Sequence, residues 1–296
     1  AARPIMEKID WKIYEKSSSE KPRIIWVSTG WISTLPIHAA GDFENDTSSE
    51  NEGPRCVHDV AVSSYTNSLK ALSYIRKSSS DRKSFPSRSN PQVIVAAMAQ
   101  TPGLGSAGNL DVQYEIESVE KALSANFDVK VLMQPDTPSV KTNISPDTAV
   151  LHFACHARAD DKDPSRSAIM LQDWQTKSPP LSVRTLLNLN LKSCELVYLS
   201  ACESGASKDL LLRDEGIHIA GGFHIAGVSH VISTLWKVSD DISSKLSGLF
   251  YAKLQRVGQD GLDLDRAPFA LHNAISVMRQ KGVHPMLWGA FIHSGP

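Results

Sequence analysis

Leu196-Val197-Tyr198-Leu199-Ser200-Ala201-Cys202-Glu203-Ser204-Gly205 is the stretch whose reading decides the fold. An apolar, β-favouring run ends abruptly in small polar residues and a glycine, as a buried parallel strand does where it meets a functional loop. Open α/β sheets hold their ligands at that carboxyl edge. A second run of the same design lies upstream, Ala149-Val150-Leu151-His152-Phe153-Ala154-Cys155-His156-Ala157, with His156 at the equivalent exit. Cys202 follows His156 by 46 residues, room for one crossover, so the two strands are expected to be neighbours with thiol facing imidazole.

A thiol with an ordinary pKa near ~8.5 is mostly protonated at neutral pH. An imidazole beside it can take the proton, stabilise the thiolate once charged, and later protonate a leaving amine. The backbone N–H groups at Ala157 and Cys202 are the natural donors to a developing oxyanion. Cys202 and His156 are therefore the candidate catalytic pair.

At these residues the chain resembles a known family. His152-Phe153-Ala154-Cys155-His156 and Leu199-Ser200-Ala201-Cys202-Glu203-Ser204-Gly205 are similar to the two catalytic motifs of CHAT domains, caspase-like cysteine peptidases related to separase and legumain. A Cys with a His some 50 residues upstream is also the caspase arrangement. Leu35-Pro36-Ile37-His38-Ala39-Ala40-Gly41, Thr234-Leu235-Trp236-Lys237-Val238-Ser239-Asp240-Asp241 and His284-Pro285…Trp288…Phe291 resemble further family signatures, in the family's order, over roughly residues 23–296. The resemblance implies an α/β, caspase-like, mainly parallel sheet flanked by helices. It also implies a degenerate pseudo-caspase half over 23–145 and a catalytic half over 146–296, behind an N-terminal extension or linker at 1–22. It implies a cysteine endopeptidase working through a thioester on protein substrates, as a regulated effector in a defence or cell-death type pathway, controlled by a sensor or tetratricopeptide-type region. A catalytically silent caspase-like scaffold is the alternative, since fold alone does not guarantee activity. Where relatives carry glycine after the catalytic histidine this chain has Ala157, which keeps the N–H but restricts φ. By analogy with relatives that read a basic P1 residue, the substrate pocket is expected to be walled by Trp236, with Asp240 or Asp160 as its acid and Ser200 in the position legumain-like relatives give to an acid.

The rest of the chain fits that class. Its 296 residues suffice for one large or two ordinary domains, and 41% hydrophobic with 21% charged residues is a soluble globular composition. A net charge of −1 excludes a bulk electrostatic case for nucleic acid or anionic membrane. No apolar run approaches the ~18–20 residues that span a bilayer. The start, Ala1-Ala2-Arg3-Pro4, shows no signal-peptide pattern and reads as part of something longer. The four cysteines (Cys56, Cys155, Cys194, Cys202) form no C-x-x-C, which favours reduced thiols and a cytoplasmic setting. Strands are expected at 23–28, 60–65, 92–98, 129–132, 167–171 and 228–236. Helices are expected at 68–75, 111–124, 181–191, 214–227, 241–256 and 268–280, with 284–292 closing the chain as an edge element. Residues 42–56 and 77–91 read as loop and linker.

Two motifs suggest other chemistry and are set aside. Gly103-Leu104-Gly105-Ser106-Ala107-Gly108 matches G-x-G-x-x-G, but Thr101-Pro102 separates it from its strand and Asp128 opens the next strand instead of closing it, so a flexible loop is expected. His152-x-x-x-His156 imitates a zinc motif, but Phe153 replaces the glutamate and a strand spreads the imidazoles over ~13 Å. No cofactor and no metal are expected.

Overall fold

The computed structural model describes residues 21–41, 56–83, 90–160, 162–176, 180–200, 218–254 and 263–296. The first half contributes β1 (Arg23–Val27), α1 (Val57–Val60), β2 (Val62–Thr66), α2 (Leu69–Lys83), β3 (Gln92–Ala97), α3 (Gln113–Leu123), β4 (Asp128–Met133) and α4 (Thr137–Asn143). Then follow β5 (Thr148–Ala154), β6 (Ala157–Arg158), β7 (Ala168–Ile169), β8 (Leu181–Ser182), α5 (Val183–Leu186) and β9 (Leu196–Leu199). The last part is α6 (Ile219–Ile225), β10 (His230–Thr234), α7 (Asp240–Leu254), α8 (Ala267–Gln280), α9 (Pro285–Trp288) and β11 (Phe291–Ser294).

Among the described residues eight strands form one sheet in the order β1-β2-β11-β10-β9-β5-β3-β4, and β6-β7-β8 form a small antiparallel sheet beside it. Every pairing in the large sheet is parallel except β10 with β11. Strand alternation sorts the core onto two faces. Val93, Val95, Ala97, Leu196 and Tyr198 pack with α3, α7 and α8 on one face. Ile94, Ala96, Leu151, Phe153, Val197 and Leu199 pack with α5 and α6 on the other. Each such aliphatic or aromatic side chain taken wholly out of water stabilises the fold by about 1.5–3 kcal/mol. The apolar spacing read in the sequence is that of α3: Val112, Ile116, Val119 and Leu123 are all buried. Ser182 caps α5, accepting from the Thr185 amide.

Four expectations are corrected. The helix expected at 68–75 runs on to Lys83, because no glycine or proline interrupts the serine-rich stretch and Ser79 bonds to Ser229. The helix expected at 181–191 is a single turn, Val183–Leu186, after a short strand. The closing element is no edge: β11 lies between β10 and β2, and all four of its residues are buried. Cys56, read as a loop residue, is fully buried at the start of α1, where its amide donates to the Asp59 carboxylate at 2.8 Å. Among the described residues, Cys56, Cys155 and Cys194 take part in no disulfide. Among the described residues no helix is long and apolar enough to cross a membrane.

A chain of polar side chains crosses four strands inside the core. The Arg23 guanidinium donates to Ser64 Oγ at 3.0 and 2.8 Å. Arginine can only donate, so the Ser64 hydroxyl donates onward to His293 Nδ1 at 2.9 Å. His293 Nε2–H then donates to His230 Nδ1 at 3.0 Å, and His230 Nε2–H to Asp265 Oδ1 at 3.2 Å. That order of donation keeps both imidazoles neutral.

Candidate active site

β5 and β9 are adjacent and parallel, with Phe153 opposite Leu199, and the Ser200 amide donates to the Phe153 carbonyl at 3.0 Å. His156 and Cys202 each follow those paired residues by three positions. Cys202 itself lies outside the described residues. His156 is 9% exposed and its carbonyl accepts from the Met170 amide at 2.9 Å. That bond makes Ala157 and Ile169 a non-hydrogen-bonded pair of the β6–β7 ladder, so the ladder makes no use of the Ala157 N–H. Ala157 is not among the residues with positive φ, so alanine sits there without backbone strain.

The His156 imidazole is held below its ordinary pKa, first by burial; Asp240 pulls the pKa back up, Lys237 lowers it, and the Ala107 backbone carbonyl favours the charged ring. Nε2 has no hydrogen-bond partner among the described residues. A neutral ring with one nitrogen against a carbonyl and the other unengaged is suited to accept a proton. Ala107 belongs to the glycine-rich segment that was expected to be a flexible loop. That segment is a built one. The Thr101 amide donates to the Gly108 carbonyl at 2.8 Å, the Leu110 amide to Ala99 at 3.0 Å, and Trp174 Nε1 to the Pro102 carbonyl at 2.9 Å. Gly103 and Gly105 take positive φ, which the turn requires. The glycines serve loop geometry beside His156.

A small cavity of about 20 Å³, room for about one water, lies at the same sheet edge, among Asp111, Glu115, Ser200, Asp240, Ser243 and Ser244. Of the four expected pocket residues, Asp240 and Ser200 line it together. Trp236 does not; its indole N–H donates to the Met286 carbonyl at 2.9 Å. Asp160 serves its own turn, accepting from the Lys162 and Asp163 amides at 3.0 Å, with Arg166 at 3.6 Å. Asp240 has its pKa raised, chiefly by burial, with repulsion from Glu115 and Asp111 adding and His156 and Lys237 opposing. Glu115 was missed from sequence because it sits among exposed polar residues of α3; its helical spacing, three residues after Val112 and four before Val119, was the available signal. His152 faces inward, its Nδ1 3.0 Å from Tyr251 Oη and its ring stacked on Tyr198. No group of three or more His, Cys, Asp or Glu among the described residues could hold a metal ion.

The mainly parallel sheet flanked by helices is a caspase-like fold. Residues 2–296 match the CHAT domain family model, and the chain belongs to that family. Among solved structures it is similar to the Arg-specific cysteine proteinase gingipain R, with a TM-score of 0.60 at 12% identity over 100% of this chain and 67% of that one. A complex of the Porphyromonas gingivalis pro- and mature domains of that proteinase gives 0.55 at 12%, covering 100% and 69%. The Saccharomyces cerevisiae separase–securin complex gives 0.52 at 13%, covering 81% of this chain and 14% of that chain. This chain thus spans a small part of separase. No curated protein matches it in sequence.

Proposed function

We propose that the chain is a cysteine endopeptidase in which Cys202 is the nucleophile and His156 the acid/base. The observation that carries this reading is the register of β5 against β9, which sets Phe153 beside Leu199, residues that precede His156 and Cys202 by three positions each. His156 takes the thiol proton as sulfur attacks the peptide carbonyl. The oxyanion is received by the Ala157 N–H, which the ladder leaves unused, and by that of Cys202. Collapse breaks the C–N bond, the His156 imidazolium protonates the departing amine, and a thioester remains. Water attacks the thioester with His156 as base, releasing the acid and restoring the thiol.

The acidic ground next to His156 is read as the place that meets the P1 side chain. Asp240, Asp111 and Glu115 give it a negative charge, which favours a cationic side chain. The activity is further read as that of a regulated effector, released by a sensor region of the same or a partner chain. Cleavage of a mixed peptide library by the wild type, Cys202→Ala and His156→Ala tests the dyad. Cleavage lost in both variants, with a thiol-directed probe labelling only Cys202, is the expected result. A wild type neither cleaving nor labelled would leave the silent scaffold.

A further inference from the structure

The two sides of His156 differ in charge. Asp111, Glu115 and Asp240 lie on the side of α3 and α7. The other side is the hairpin that His156 opens. The His156 carbonyl accepts from the Met170 amide and Ala157 pairs with Ile169, so residues 156–158 run as extended backbone. Side chains alternate along such a strand. Ala157 packs against the core that holds Ile169 and Leu181, so His156 and Arg158 share the opposite face.

Arg158 is exposed, and its guanidinium stands 6.0 Å from the centre of the Trp174 ring. Trp174 is fixed in turn by the Pro102 carbonyl, in the same loop whose Ala107 carbonyl meets His156. Two other arginines on this hairpin and its flank have acids: Arg166 has Asp160 at 3.6 Å, and Arg184 has Asp163 at 3.1 Å. Among the described residues Arg158 has no carboxylate partner and its guanidinium donates no hydrogen bond. The next acid along the chain, Asp160, gives one oxygen to the Lys162 and Asp163 amides and the other to Arg166. An exposed guanidinium set over an aromatic ring and left without an anion is a receptor for a carboxylate, which its planar fork binds through two N–H groups.

Reach says which carboxylate. Two strand residues span about 6.6 Å, and an extended peptide running past His156 advances by the same step. The amine that His156 protonates belongs to the first residue beyond the scissile bond. A side chain on that residue or the next comes alongside Arg158. The groups that shift the His156 ring are Asp240, Lys237 and the Ala107 carbonyl, so Arg158 acts on the ligand and not through the dyad.

We propose that Arg158 is a specificity-determining residue that receives an acidic side chain carried by the substrate one or two residues beyond the scissile bond. The proposal rests on the reading of His156 as the catalytic acid/base. It gives the site two signs, a cation expected before the bond and an anion after it.

Peptides that differ only in glutamate or glutamine at those two positions are compared as kcat/KM on the wild type, Arg158→Gln and Arg158→Lys. The same peptides are titrated onto the Cys202→Ala protein, with and without Arg158→Gln, where turnover plays no part. Glutamate should be favoured about 3- to 10-fold at one of the positions, less so in about 0.5 M salt. Arg158→Gln should bring the two peptides to parity in both assays. Arg158→Lys, which keeps the charge but not the fork, should restore part of the preference. Parity in the wild type overturns the proposal, and so does a glutamate preference that survives Arg158→Gln. Equal weakening of every peptide also overturns it, since packing on Trp174 alone would produce that. Glutamate-selective binding that depends on Arg158, without any cleavage by the wild type, would sink the peptidase reading and leave the anion site standing.

Discussion

Lowering the pH charges histidines in the unfolded chain that the fold keeps neutral. Burial, with Arg279 adding to it, pulls His38 from 6.5 to about 3. Burial, followed by Lys21 and Arg279, takes His272 to about 3. Burial takes His224 to about 4, against the pull of the Val228 carbonyl. His230 and His293 are also lowered, chiefly by burial. The sign follows: above 6.5 neither state binds the proton and nothing is lost. Below it the unfolded chain gains protons that the folded chain refuses, so stability falls as pH drops towards the folded values. Each refused proton costs about 1.4 kcal/mol per pH unit. His38, His272 and His224 together give about 4 kcal/mol per unit, or about 6 kcal/mol by pH ~5. That is comparable with the whole stability of a typical domain, about 5–15 kcal/mol. Urea unfolding followed by tryptophan fluorescence at about pH 7.5, 6.5 and 5.5 measures the slope. His272→Phe, which keeps a ring against His58 (centroids 3.9 Å apart), should reduce it by one proton's worth. A stability that changes by less than about 1 kcal/mol across this range would show that these imidazoles are not held neutral.

Three further outcomes are expected. Asp240→Asn removes the carboxylate that favours the His156 imidazolium, so the acid limb of the activity profile should move to lower pH by up to about one unit; an upward shift would contradict the electrostatics. In Gly108→Val a Cβ would stand 2.7 Å from the Thr101 carbonyl oxygen. The loop facing His156 would have to move, and turnover should fall at least tenfold, on the order of 1.4 kcal/mol in barrier, with the melting transition kept; unchanged turnover would detach the loop from His156. Arg279 pairs with Asp59 at 2.6 Å and lies over Trp288 at 5.2 Å. Arg279→Met should cost about 1–3 kcal/mol in chemical denaturation, and a neutral effect would make the pair ornamental.

Much of this was legible because buried parallel strands write themselves in continuous apolar runs. Val93-Ile94-Val95 and Leu196-Val197-Tyr198-Leu199 allow no other reading, and the shared design of the two strand exits gave the adjacency of β5 and β9. What escaped was set by tertiary neighbours. Glu115 differs from Glu117 and Glu120 only in which way α3 turns it. The glycine-rich loop is ordered by Trp174 and by its own amides, none of which a local pattern records. β11 reads as a short apolar tail, and nothing in four residues says between which strands it will insert.

That insertion bears on the order in which the chain can assemble. Among the described residues the β1–β2 pair has no partner in the sheet other than β11, and Ser64 meets His293 across 229 residues of sequence. On a ribosome the first two strands would emerge long before the strand that joins them to the rest. Until Phe291–Ser294 arrives, the β2 edge stays open, and the Arg23-to-Asp265 relay lacks its central imidazole. Closure of the sheet is thus a late, non-local event. A partner that captured the β2 edge during synthesis would decide whether this sheet ever forms.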